Sequence, residues 1–184
     1  MHLHKNIPIG AGLGGGSADG AFMIKLLNEK FKLDMSVEEM GALAGKLGSD
    51  CPFFIKNEPV FVEGTGNEFS IIDFSLKGKW LVLIMPKIHV STAQAYGGIT
   101  PSTPDSNLKH NLESLGLSGL QSVVKNDFEA SVFKQFLALV EIKEALLKAG
   151  ATYASMSGSG SSIFGVFESK PDFSSACPFQ IFQL

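Results

Sequence analysis

Six glycines fall within the eleven residues Gly10-Ala-Gly-Leu-Gly-Gly-Gly-Ser-Ala-Asp-Gly20, and the run flows directly into an amphipathic pattern. Glycine has no Cβ, so it enters left-handed backbone conformations and lets a chain approach a ligand or another backbone closely. A flexible linker would not lead straight into a helix. Residues 10 to 15 satisfy G-x-G-x-x-G, and Asp34 follows at about the distance of a dinucleotide-binding fingerprint. The stretch before the loop argues against that assignment, because His2-Leu-His-Lys-Asn6 alternates with polar residues. A parallel, doubly covered strand reads instead as an apolar run. A Walker A loop is excluded as well, since no Gly-Lys-Ser/Thr follows the glycines. What remains is a phosphate cradle in which converging backbone N–H groups and the positive end of the next helix hold an anion. Ser17 adds a hydroxyl for a phosphate oxygen or a bound Mg²⁺. A second small-residue cluster stands at Ser155-Met-Ser-Gly-Ser-Gly-Ser-Ser162.

Composition narrows the partners. All fifteen basic residues among the 184 are lysines, the net charge is −3, and no arginine forks are present for nucleic-acid backbones. The longest apolar run, Trp80 to Met85, is far short of a membrane span. Cys51 and Cys177 form no metal-ligand spacing and read as two free thiols of a cytosolic chain. The N-terminus has neither the apolar core of a signal peptide nor an arginine-rich leader pattern.

Periodicity separates helices from strands along the chain. Leu3 to Ile9 reads as a short strand, and Ala18 to Phe31 as a helix burying Phe22, Met23, Leu26, Leu27 and Phe31. Ser36 and Glu39 form a capping box ahead of a helix with Met40, Leu43, Ala44 and Leu47 inside. Ser49 and Asp50 are N-cap types, with Pro52 suited to a first helical turn. Strands are expected at 59–63 and 68–74 around a Gly64-Thr-Gly66 turn, and from Trp80 onward. A short helix is expected at 92–99, an exposed loop at 100–106, and one helix from Lys134 to Lys148 with Phe136, Leu137, Val140, Leu146 and Leu147 buried. Strands follow at 153–156, 162–167 and 179–182. A domain boundary is placed near residue 78.

The stretch Pro8-Ile-Gly-Ala-Gly-Leu-Gly-Gly-Gly-Ser-Ala18 resembles the ATP-phosphate loop of the GHMP kinase superfamily. Three more stretches agree in order: Leu47-Gly-Ser-Asp-Cys-Pro-Phe-Phe54, Asn126-Asp-Phe-Glu129 and Met156-Ser-Gly-Ser-Gly-Ser-Ser162. The resemblance implies an α+β, two-domain GHMP kinase fold: an incomplete ribosomal protein S5 domain 2-like N-terminal domain over 1–78, then a ferredoxin-like domain over 79–184. It implies ATP bound by Pro8, Gly10, Gly12, Leu13, Gly14, Gly15, Gly16, Ser17 and Ala18, with Mg²⁺ beside Ser17. Asp50 would be the base or orienting group for the attacking hydroxyl, although a helix N-cap is its plainer reading. Gly158, Ser159 and Gly160 would approach the substrate. Tyr96 would stack on a cytosine ring, or simply close the edge of a core. The triple glycine points to the branch that phosphorylates the 2-hydroxyl of a cytidine-diphosphate-linked methylerythritol in non-mevalonate isoprenoid synthesis. Relatives carry a Lys/Asn strand well ahead of the loop, whereas Met1 lies only nine residues before Gly10. The comparison therefore implies an open core face, with low solubility, self-association through a free strand edge, or weak activity. The alternative is an inactive nucleotide-binding remnant, or a fragment needing a complementary N-terminal piece.

Overall fold

The computed structural model describes residues 2–100 and 107–184, so most of the loop expected at 100–106 lies outside the described residues. The chain forms two compact units. One comprises residues 14–73, and the other joins residues 1–13 to residues 74–184. The glycine run is thus divided at Leu13–Gly14.

The 14–73 unit begins with helix α1 (Gly15–Phe31), which stops where Lys32 turns left-handed at φ 51° and its N–H reaches Asn28 O and Glu29 O. Helix α2 (Val37–Gly45) opens on the full capping box of Ser36 and Glu39, as the sequence predicts. A single turn, α3 (Phe53–Lys56), leads to the antiparallel hairpin β1 (Phe61–Glu63) and β2 (Glu68–Ser70), which pairs Phe61 with Ser70. The core is small: Ala21 and Ile24 of α1 meet Met40 and Ala44 of α2 with Cys51 and Ile55. This differs from the stripes read in the sequence. Phe22, Leu26, Leu27 and Phe31 stay exposed on α1, as do Leu43 and Leu47. Ala21 and Ile24 face Met40 and Ala44 of α2, and the exposed apolar side chains point away from that contact.

The second unit is built on a four-stranded antiparallel sheet of β3 (Trp80–Ile84), β4 (Tyr153–Met156), β5 (Ile163–Phe167) and β6 (Phe179–Gln183), in the order β4-β5-β3-β6. That is the strand order of a ferredoxin-like sheet. The connection from β5 to β6 crosses β3 through the irregular segment 168–178 rather than through a helix. β3 is apolar throughout because it is paired on both sides and covered on both faces. Val82 and Ile84 enter the main core, and Leu81 packs into a second cluster around Leu117 and Leu120. Helices α4 (Thr92–Gly97), α5 (Leu108–Ser114), α6 (Gly116–Val123), α7 (Glu129–Gln135) and α8 (Leu137–Lys148) lie between β3 and β4 in the chain.

Two local expectations are corrected here. Residues 3–9 are irregular, since no strand among the described residues pairs with them and Pro8 withholds a donor. The single helix expected over 134–148 is broken at Phe136, whose φ of −132° and ψ of 76° leave the helical region. The break turns Leu137 to solvent and buries Leu139 and Leu146, two turns apart on one face.

Candidate functional site

Gly10, Gly12 and Gly14 all take positive φ, at 76°, 74° and 64°. Every second residue is left-handed, a course that only glycine follows without strain. The first part of this loop lies against the second glycine cluster, backbone to backbone. Ser162 N–H donates to Ala11 O at 3.1 Å, and Ser157 Oγ donates to Gly12 O at 2.7 Å. A Cβ on Gly12 would stand 2.6 Å from Gly160 O, and closer still to Ser157 O. Gly10 is pressed by the ring of His89, whose Cε1 is 3.1 Å from the Cβ position. The sequence offered no signal for His89 beyond an isolated histidine. Pro8 and Ile9 approach the loop in exposed, irregular backbone.

The second part of the loop is the amino end of α1. Gly14 is its N-cap, no side chain caps it, and its first turn carries no acid. The first helical bond is Ala18 N–H to Gly14 O at 2.9 Å, so the amides of Gly15, Gly16 and Ser17 precede the ladder. A seventeen-residue helix therefore presents its positive end uncapped, with the ring of Phe54 3.1 Å from the Cβ position of Gly14.

Asp50 lies in a turn of the same unit as α1. Its neighbour Cys51 is buried in the core, beside the position a Cβ on Gly20 would take. The N-cap of α3 is Pro52, which makes no side-chain cap bond, so Asp50 does not cap that helix. The plainer reading of Asp50 thus fails. Its carboxylate is exposed and accepts from Ser49 Oγ at 3.2 Å, and the turn at Gly66 packs alongside.

Gly158 and Gly160 take φ of 53° and 91° in the loop between β4 and β5, with Ser159 between them. Tyr96, on α4, meets Phe128 edge-on at 4.9 Å and leaves 64% of its surface free. Its ring is neither buried nor hydrogen-bonded into a core, which leaves a face available for stacking. Among the described residues, no group of three or more His, Cys, Asp or Glu side chains stands together to hold a metal. A divalent ion here would take most of its ligands from phosphate oxygens and water, the usual manner of Mg²⁺, with Ser17 as the nearby protein oxygen.

Comparison with known proteins places this geometry. Residues 1–58 match the family described as GHMP kinases N terminal domain, and residues 106–177 match GHMP kinases C terminal. A 4-diphosphocytidyl-2-C-methyl-D-erythritol kinase from Bacteroides fragilis is 52% identical over 98% of this chain and 67% of its own length. The chain belongs to the GHMP kinases. A Parabacteroides distasonis protein of the same name is 50% identical over 94% of this chain and 64% of its own. The chain thus spans about two thirds of the length of these curated relatives. Among solved structures, a 4-(cytidine 5'-diphospho)-2C-methyl-D-erythritol kinase superposes with a TM-score of 0.72 at 29% identity, covering 89% of this chain and 60% of that one. A homoserine kinase from Cytophaga hutchinsonii shares the GHMP kinase fold at a TM-score of 0.70 and 21% identity, over 90% and 59% of the two chains.

Proposed function

We propose that this chain carries the site of a 4-diphosphocytidyl-2-C-methyl-D-erythritol kinase, passing the γ-phosphate of ATP to the 2-hydroxyl of the cytidine-diphosphate-linked alcohol. The observation that carries the reading is the uncapped amino end of α1 directly after a run of left-handed glycines. Such an end holds phosphate through backbone N–H groups and the helix dipole. In this reading Pro8 to Leu13 guide the chain to the phosphates, and Gly14 to Ala18 bind them. The substrate hydroxyl oxygen attacks the γ-phosphorus, the bond to the bridging oxygen breaks, and ADP leaves. Asp50 takes the hydroxyl proton, for which an exposed carboxylate tied only to Ser49 is suited. Gly158, Ser159 and Gly160 approach the substrate, and Tyr96 stacks on its cytosine. Bound Mg²⁺, with Ser17 at hand, would neutralise phosphate charge. Without arginine in the chain, backbone amides and lysine complete that task.

The same reading puts the protein in the cytoplasm, where ATP is supplied and two unpaired thiols persist. No described helix is long and apolar enough to cross a membrane. It also assigns the exposed apolar side chains of α1 to association between copies, since Phe22, Leu26, Leu27 and Phe31 are all uncovered. A second reading, a nucleotide-binding remnant without transfer, is favoured by that open face. ATP consumption with the cytidylyl substrate decides between them. Asp50→Asn should lose about 10²- to 10⁴-fold of the wild-type rate while unfolding at the same midpoint, because it caps no helix. Equal background turnover by both proteins, with ATP still bound, would establish the remnant.

A further inference from the structure

The four residues Asn126-Asp-Phe-Glu129 touch every proposed substrate-side element of the second unit. Asn126 Nδ2 donates to Met156 O at 2.8 Å and to Gly158 O at 2.7 Å. These carbonyls flank Ser157, the residue whose hydroxyl reaches Gly12 O. Asn126 Oδ1 is fixed in turn by Phe128 N–H at 2.9 Å, which sets the amide so that its nitrogen faces the loop. Glu129 Oε1 accepts from Met156 N–H at 2.8 Å and from Ser155 Oγ at 3.2 Å, and its Oε2 pairs with Lys143 Nζ at 2.6 Å. Both polar groups of the Met156 backbone are therefore held by side chains from one short segment. Between these two anchors, Phe128 packs edge-on against Tyr96.

The ion pair is mostly buried, with 18% and 13% of the Lys143 and Glu129 side chains exposed. A buried charge pair is a poor source of stability, since desolvation offsets its attraction. Here it holds the Glu129 carboxylate against the loop, where it accepts from Met156 N–H and Ser155 Oγ. The chain of contacts then runs from Asn126 and Glu129 through Met156–Gly158 to Ser157, and from Ser157 to Gly12 in the first glycine loop.

We propose that Asn126 and Glu129 are positioning residues that set the spacing of the two glycine loops, and through Ser157 tune the affinity for the ATP phosphates. The inference rests on the reading of the first glycine loop as the nucleotide site. Asn126→Asp keeps size and shape but replaces a donor to two carbonyls with an acceptor. It should weaken ATP binding about tenfold, the effect of one or two lost hydrogen bonds. Ser157→Ala, which cuts the same chain one step later, should weaken it several-fold. The double variant should bind ATP no worse than Asn126→Asp alone, because both changes break one path.

The test is equilibrium titration of the whole chain with ATP, for wild type, both single variants and the double. Hydrogen exchange at the Ser162 amide, which bonds to Ala11 O, provides a second measurement. That exchange should quicken in Asn126→Asp while the protein still unfolds cooperatively. Wild-type affinity in Asn126→Asp, or additive losses in the double variant, overturns the positioning role and leaves the nucleotide reading intact. A wild-type chain that binds no ATP overturns both. A variant that fails to unfold cooperatively while Ser157→Ala binds like wild type also overturns it, because the effect of Asn126 is then general stability.

Discussion

Replacing Gly12 with alanine tests the contact between the two glycine loops directly. The new Cβ would stand 2.6 Å from Gly160 O and 2.9 Å from its carbonyl carbon, where only backbone is present to yield. The φ of 74° adds about 1–2 kcal/mol of strain for any residue with a Cβ. Relieving the clash requires the loops to part, which stretches the bonds from Ser157 Oγ to Gly12 O and from Ser162 N–H to Ala11 O. Each contributes about 0.5–1.5 kcal/mol, so the whole loss is about 2–5 kcal/mol. Gly16 supplies the control four residues on. It is helical, nothing lies within 4 Å of its Cβ position, and alanine there should stabilise by up to about 1 kcal/mol. Trp80, the single tryptophan, lies on β3 in the same unit as Gly12 and reports its unfolding by fluorescence. In urea, with a slope of about 2 kcal/mol/M, Gly12→Ala should lower the midpoint by roughly 1–2.5 M. A midpoint equal to wild type would refute the close approach. So would a loss in Gly16→Ala as large as in Gly12→Ala.

The uncovered side of α1 and the buried phenol of Tyr153 yield two more expectations. Phe22, Leu26 and Phe31 are 48%, 54% and 61% exposed, so the wild-type chain should sediment above its monomer mass at micromolar concentration. Phe22→Lys with Leu26→Glu should return it to the monomer, and a wild-type monomer would dismiss the association. Burial raises the Tyr153 phenol above its ordinary value of 10.0, opposed by a hydrogen bond with Ser155 and helped by the negative charge of Glu129. The folded state then holds this proton more tightly than the unfolded chain. Stability from this source is complete below pH 10 and falls as pH rises above it, because the unfolded chain deprotonates first. Unfolding midpoints of Tyr153→Phe should lack that alkaline decline, and an identical decline in both proteins would show that other groups cause it.

Local chemistry made part of this structure legible in advance. Ser36 and Glu39 announced the start of α2, Gly64 and Gly66 the hairpin turn, and the unbroken run from Trp80 a strand paired on both sides. The ordered glycine motifs pointed to the fold. Errors arose where a pattern shows which residues are apolar but not what they meet. Phe22 and Leu26 read as core because they fit a helical apolar stripe, yet the α1–α2 contact is made by Ala21 and Ile24 with Met40 and Ala44. The break at Phe136 was illegible because its cause is tertiary: α7 begins where Glu129 is bound to Met156 and Lys143, whereas α8 follows the sheet. Asn126 and Glu129 stood in a motif, but nothing in their spacing told that both grip the same residue of a strand thirty positions on. For Asp50 the sequence left a helix cap open as the plainer role, and the geometry at Pro52 removes it.

The division of the glycine run at Leu13–Gly14 bears on how the molecule is made. Residues 10–12 leave the ribosome well before their backbone partners Ser157, Gly160 and Ser162. During translation the 14–73 segment has all its own contacts long before those residues exist. A growing chain therefore displays the amino end of α1 while the entrance to it is still untethered. The two parts of the loop come under restraint at separate stages of synthesis, and a product that stops short of residue 162 lacks the bond from Ser162 N–H to Ala11 O.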